Sequence, residues 1–152
     1  MKPKPVTTNR RARYDYEIQE TLEAGLALVG SEVKSLREGR AHLTDAYALV
    51  KDGEAWLVGA YIGPYSFARG GGHEPERSRK LLLHRREIDR LASKLAESGL
   101  TLVPIRIYFK EGKAKLELGL GRGKRTYDKR EKIKAREMER EMERARKLRG
   151  RR

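Results

Sequence analysis

A chain of 152 residues with 36 Lys/Arg, 22 Asp/Glu and a net charge of +14 has room for one domain of about 100–120 residues plus charged tails. A pI near 10.2 points to nucleic acid first and an anionic membrane surface second. No apolar run approaches the roughly 20 residues a bilayer span needs, MKPKPVTTNRRAR lacks a signal-peptide core, and the absence of cysteine excludes disulfides and thiolate metal sites, which suits a cytoplasmic protein.

Residues 1–13, polar and basic with Pro3 and Pro5, read as a flexible arm, and residues 14–120 as the folded domain. In YDYEIQETLEAGLALVG (14–30) the alternation of Tyr14, Tyr16 and Ile18, and later of Leu26 and Leu28, predicts two short strands meeting near Ala24–Gly25. Ser31 as N-cap, Val33 and Leu36 three apart, and Gly39 as a stop predict a short helix over 31–39. Strands 46–50 and 55–58 flank Asp52-Gly53, a hairpin turn whose central residues take positive φ. Tyr61 and Ile62 suggest another strand, and SFARGGGHEPERS (66–78) reads as a mobile loop.

The segment 84–97 puts Ile88, Leu91, Ala92, Leu95 and Ala96 on one helical face, with Gly99 as the stop. A second hairpin follows, TLVPIRIYF (101–109) and KAKLELGL (113–120) around Lys110–Gly112. This order predicts a mainly β fold with flanking helices, a small closed or nearly closed antiparallel barrel of the oligonucleotide-binding (OB-like) type. Residues 121–152 hold 15 Lys/Arg against six Asp/Glu, +9 of the chain's +14, with few large apolar residues, so this tail is expected to stay disordered when free and to be ordered by a polyanion. On a helix, Lys132, Arg136, Arg140 and Arg144 form a cationic stripe opposite Met138, Met142, Ala145 and Leu148.

Chemistry is scarce. His42, His73 and His84 share no metal-ligand spacing, and no nucleophile motif is present, so no catalytic residue, metal or cofactor is assigned. GLGRGKRT (119–126) fails the phosphate-loop pattern at Leu118 and Arg125; its glycines leave room for a sugar–phosphate backbone or a hinge. Aromatics interleave with cations at Arg10, Arg11, Arg13, Tyr14 and Tyr16, and again at Lys124, Arg125, Tyr127, Lys129 and Arg130. Cations find phosphates and tyrosines stack on unpaired bases, which favours RNA loops over duplex DNA. On composition alone, a basic ribosome-associated protein filling an rRNA crevice fits as well.

The strings NRRARYDYEIQETLEAGLALVGSEVKSLREG (9–39), RSRKLLLHRREIDRL (77–91) and LTLVPIRIYFKEGKAKLELGLGRGKRTYDKR (100–130), with the basic tail, resemble the small protein B (SmpB) family. Glu23-Ala-Gly, Glu32-Val-Lys-Ser-Leu-Arg, Arg79-Lys-Leu-Leu-Leu and Asp128-Lys-Arg carry the likeness jointly. The resemblance implies a non-enzymatic, cytoplasmic RNA-binding adaptor of trans-translation. Its partners would be the tRNA-like domain of transfer-messenger RNA (tmRNA) and the small-subunit rRNA of a stalled ribosome, with no membrane and no small-molecule substrate. It implies RNA-binding roles for Glu23, Leu82 and Lys115, and around them for Asn9, Arg10, Arg11, Tyr14, Lys34, Arg37, Gly123, Lys124 and Arg125. Glu23 would accept from a base amino group or orient a cation, and Leu82 would touch a base or belong to the core. Tyr127, Asp128, Lys129 and Arg130 match the segment used near the decoding centre, and the stripe of Lys132, Arg136, Arg140 and Arg144 would enter the empty messenger channel, helical only there. Members often carry histidine where Tyr14 and Tyr127 stand.

Overall fold

The computed structural model describes residues 4–65, 72–97, 99–124 and 136–145. Among the described residues up to 124, nine strands and three helices follow in order: β1 (Pro5–Thr8), α1 (Ala12–Asp15), β2 (Tyr16–Leu26), α2 (Gly30–Arg37), β3 (Ala41–His42), β4 (Tyr47–Lys51), β5 (Glu54–Val58), β6 (Tyr61–Ile62), β7 (Arg79–Leu82), α3 (Arg85–Glu97), β8 (Thr101–Lys110) and β9 (Lys113–Gly123). Residues 136–145 form a further helix, with every side chain exposed.

Seven strands make one antiparallel sheet in the order β1-β8-β9-β2-β7-β5-β4, and β3 pairs with β6 in a small second sheet. The large sheet curls until β4 packs against β8, but among the described residues no ladder joins them, so the barrel is nearly closed rather than closed. Alternation along the strands supplies the interior: Ala24, Leu26, Ala55, Leu57, Leu81, Leu102, Ile107, Leu116, Leu118 and Leu120 are buried, with Leu36 of α2 and Leu91 of α3 added from the helices. Burial of this kind contributes on the order of 1.5–3 kcal/mol per large side chain.

The Asp52-Gly53 turn takes the expected conformation, at φ 52° and 72°, and the second hairpin turns on two residues rather than Lys110–Gly112: Lys110 pairs with Lys113, and Glu111 and Gly112 stand at 53° and 76°. Other expectations need correction. Residues 5–8 are no loose arm: β1 pairs with β8, and Asn9 donates from its backbone N–H to the Ile105 carbonyl (2.7 Å) and from Nδ2 to that of Pro104 (3.0 Å). The arm satisfies an edge that β8 would otherwise present bare. β2 is one strand of 11 residues, not two, because Gly25 continues the ladder on both sides, opposite Lys115 and Leu82. β9 runs past Leu120 to Gly123: a Cβ on Gly121 would stand 2.6 Å from the Glu17 carbonyl oxygen, so glycine there permits close strand approach rather than breaking the strand.

The helix at 31–39 starts one residue early, and the cap comes from Glu32, whose Oε1 accepts the Val29 N–H at 2.9 Å, not from Ser31. On α3, Ile88 and Leu91 are buried, whereas Ala92 and Ala96 are exposed. Residues 66–71 lie outside the described residues, but the end of that loop is pinned: His73 bonds the Ser31 hydroxyl (2.8 Å) and the Ile62 carbonyl (2.9 Å).

Candidate nucleic-acid interface

Strand register brings the residues of the site together. Gly25 lies opposite Leu82 on β7 and opposite Lys115 on β9, and Lys115 in turn lies opposite Tyr108 on β8. Directly paired residues share a face, so Leu82, Gly25, Lys115 and Tyr108 form one row across four strands. Two residues back along β2, Glu23 pairs with Glu117, which pairs with Arg106, a second row on the same face. This is the outer face, since the intervening Ala24, Leu81 and Leu116 point into the core.

Gly25 contributes no side chain, and the ridge on either side becomes the wall of an open cleft of 690 Å³ lined by Lys80, Arg85 and Lys115, by the carboxylates Glu23, Glu54 and Glu87, and by Gly25 and Leu82 among others. Leu82 is 53% exposed, which overturns the core reading of that residue. It stands against Gly25, where a Cβ would lie 3.1 Å from the Leu82 Cβ. An exposed apolar side chain in a cleft of mixed charge suits the face of a base or sugar, with phosphates reaching the ammonium and guanidinium groups around it.

Glu23 is the one acid of the resemblance-derived RNA set. The Tyr108 hydroxyl donates to its Oε2, and Lys110 Nζ lies 3.6 Å from the same oxygen. The Tyr108 hydrogen bond, with Lys110 and Lys115 nearby, holds the carboxyl below the usual range against the opposing effect of partial burial. Tyr108 is pushed up, by burial first and then by Glu23 and Glu117, so it stays a neutral donor. Arg106 binds Glu117 (3.1 Å) and lies over the Tyr108 ring, 5.2 Å from its centroid. Arg13 reaches Glu117 at 3.9 Å and links α1 to this face.

The N-terminal group of expected residues meets the end of β9. Tyr16 pairs with Gly123, and Lys124 Nζ donates to the Arg13 carbonyl at 3.4 Å. Arg10, Arg11 and Tyr14, the last 68% exposed, stand outward here. Asn9 is different: its amide ties the arm to β8, a structural duty. Lys34 and Arg37 do not line the cleft; Lys34 lies 5.4 Å over the Tyr65 ring and Arg37 4.6 Å over that of Phe109. Arg125, Tyr127, Asp128, Lys129, Arg130 and Lys132 lie outside the described residues, while Arg136, Arg140 and Arg144 are exposed on the last helix.

Two residues of the resemblance motifs turn out to hold the fold. Glu32 and Arg79 are both fully buried, with Arg79 donating from Nε to Glu32 Oε2 at 2.7 Å and from Nη2 to the Pro75 carbonyl at 2.9 Å. Arg77 adds a second guanidinium, its Nε 3.1 Å from Glu32 Oε2. Burial alone would raise the Glu32 pKa, but the bonds from Arg77, the Val29 N–H and Arg79 outweigh it and hold the carboxyl low. Tyr108, Lys80 and Arg85 are the site residues that sequence reasoning missed. The available signal was the Glu111-Gly112 turn: a two-residue loop pairs Lys110 with Lys113 and hence Tyr108 with Lys115.

Among the described residues no group of three His, Asp or Glu could hold a metal ion, and no helix is long and apolar enough to cross a membrane. A family model described as SmpB protein matches residues 6–148. The SsrA-binding protein of Syntrophomonas wolfei is 59% identical over 148 residues, covering 97% of this chain and 94% of that protein. The SsrA-binding protein of a Sulfurihydrogenibium species is 54% identical over 145 residues, covering 95% of each. A chain of the solved structure "tmRNA-SmpB: a journey to the center of the bacterial ribosome" superposes with a TM-score of 0.64 at 55% identity, over 77% of this chain and 82% of that one. A family model spanning residues 6–148, with relatives 59% and 54% identical over nearly the whole of both chains, places this chain in the SmpB protein family.

Proposed function

We propose that this protein is a tmRNA-binding adaptor of trans-translation, acting without catalysis in the cytoplasm, whose barrel binds the tRNA-like domain through the Glu23–Leu82–Lys115 cleft. The observation that carries the reading is the register of β7, β2 and β9, which gathers an acceptor, an apolar surface and a cation around a side-chain-free floor at Gly25. Lys115, Lys80 and Arg85 would neutralise phosphates, Leu82 would pack on an exposed base or ribose, and Glu23 would accept from a base or 2′-hydroxyl donor. The second cationic group, Arg10, Arg11, Tyr14, Gly123, Lys124 and Arg125, extends the same binding toward the tail. Lys34 and Arg37 add cations from α2. Tyr127, Asp128, Lys129 and Arg130 would lie at the decoding centre, and the stripe of Lys132, Arg136, Arg140 and Arg144 would line the empty messenger channel. Sequencing the RNA retained by the tagged protein from lysate tests this directly. Enrichment of one tRNA-like messenger species is the expected result, and recovery of rRNA alone would replace the adaptor with a static rRNA-filling role.

A further inference from the structure

We propose that Tyr108 is the positioning residue of the cleft: its hydroxyl fixes the Glu23 carboxylate in one orientation and leaves Oε1 as the acceptor for an N–H or O–H donor on the RNA. The inference rests on the RNA-binding reading above and specifies what Glu23 recognises. Tyr108 is only 4% exposed although it stands on the outer face, because its ring lies under the Arg106 guanidinium and its hydroxyl ends on Glu23. Both contacts to Glu23, from Tyr108 and Lys110, fall on Oε2, and among the described residues Oε1 accepts nothing. A carboxylate repels phosphate, so a group this close to RNA backbone is tolerated only where it meets a donor: a base amino or imino group, or a ribose 2′-hydroxyl.

The same geometry favours the acceptor role of Glu23 over cation steering alone. A carboxylate that only steered a cation would spend its oxygens on Lys110 and Lys115. Here a neutral phenol donates to Oε2, and Lys110 adds an ion-pair contact to the same oxygen at 3.6 Å, so both leave Oε1 open. The charged and titratable groups around Glu23 are Tyr108 and Lys110 from β8, Lys115 and Glu117 from β9, and Glu54, Lys80, His84, Arg85 and Glu87 lining the same cleft. Of these, the phenol has the largest influence on the carboxyl, holding it ionised.

Tyr108→Phe keeps the ring and its burial and deletes only the donor. In the RNA-free protein, the Glu23 carboxyl followed by carbon NMR should titrate at higher pH in Tyr108→Phe than in the wild type. At neutral pH the variant should bind a transcript of the tRNA-like domain about 3–10-fold more weakly, the worth of roughly one hydrogen bond. Its salt slope should be unchanged, since no phosphate contact is lost. In a Glu23→Ala background the same substitution should change affinity by less than about twofold, because the acceptor it positions has gone. An unmoved Glu23 titration, wild-type affinity in Tyr108→Phe, or losses that multiply independently of Glu23 would each overturn the assignment. If the wild-type chain itself fails to bind the transcript, the functional reading falls and this inference with it; binding by the wild type with no effect of Tyr108→Phe removes the inference alone.

Discussion

Glu32 and Glu23 are held ionised by different means, and substitutions should separate them. Glu32 is buried between Arg77 and Arg79, so Glu32→Gln strands a fully buried guanidinium and should cost about 3–5 kcal/mol, read as a large fall in melting temperature. Arg79→Met should cost less, since Glu32 keeps Arg77. The Glu32 pKa is depressed from 4.5, so its contribution to stability is complete above about pH 4.5 and is lost as pH falls through the lower folded value. Melting curves should therefore drop below that pH in the wild type, and Glu32→Gln should show less of the drop. Lys115 sits at an open cleft, where substitution alters stability by no more than about 0.5 kcal/mol, and Glu23→Ala adds the loss of the hydrogen bond from Tyr108, about 1 kcal/mol. Glu23→Ala and Lys115→Ala should melt cooperatively near the wild-type temperature yet bind the tRNA-like RNA about tenfold more weakly by filter or fluorescence titration. Loss of the cooperative transition in either would make that residue structural.

At the level of elements, β1 and Asn9 close an edge, and this is testable by deletion. A chain lacking residues 1–8 should melt lower and self-associate in sedimentation, because β8 then exposes unpaired N–H and C=O groups. Gly121→Ala should destabilise by about 1–3 kcal/mol, since its Cβ would meet backbone at Glu17 that cannot rotate aside. The hairpins were legible because their cause is local: Asp52-Gly53 and the glycine after Glu111 dictate positive φ within the turn itself. The α3 helix was legible for the same reason, its period being local, although Ala92 and Ala96 proved too small to mark the buried face. The arm was not, because nothing in PVTT announces the bare edge of β8 about 100 residues away. Gly25 read as a break because its pairing partners, Leu82 and Lys115, come from distant strands that the local pattern does not display. The site was legible in its members but not its geometry: Tyr108 and Leu82 look like core in an apolar run, and only register turns them outward.

Across the whole molecule, charge is divided unevenly: the 32 residues after Leu120 carry +9 of the +14. The barrel's own RNA binding should still be electrostatic, with affinity falling roughly 0.7–0.9 log units per log unit of salt for each phosphate neutralised; a flat salt titration would contradict phosphate contacts by Lys80, Arg85 and Lys115. The tail should act separately from the barrel. Residues 136–145 are helical with all side chains exposed, so they rest on no core. Pairs three apart, Glu137–Arg140 and Glu141–Arg144, have opposite sign, whereas pairs four apart, Arg136–Arg140 and Glu139–Glu143, have like sign. A helix of this length with such mixed pairing is marginal in water, and residues gaining a dense phosphate surface on one side would shift it toward helix. Extended as helix, roughly 20 residues reach about 30 Å, enough to run well into an RNA-walled channel. Truncation after Arg130 should accordingly leave the melting temperature unchanged and the affinity for tRNA-like RNA within about threefold, under 1 kcal/mol. The same truncation should abolish peptide tagging on stalled ribosomes in a reconstituted assay, and the intact tail should gain helical signal when stalled ribosomes are added. Equal tagging by truncated and intact chains would take the tail out of the mechanism and leave the barrel as the whole of the adaptor.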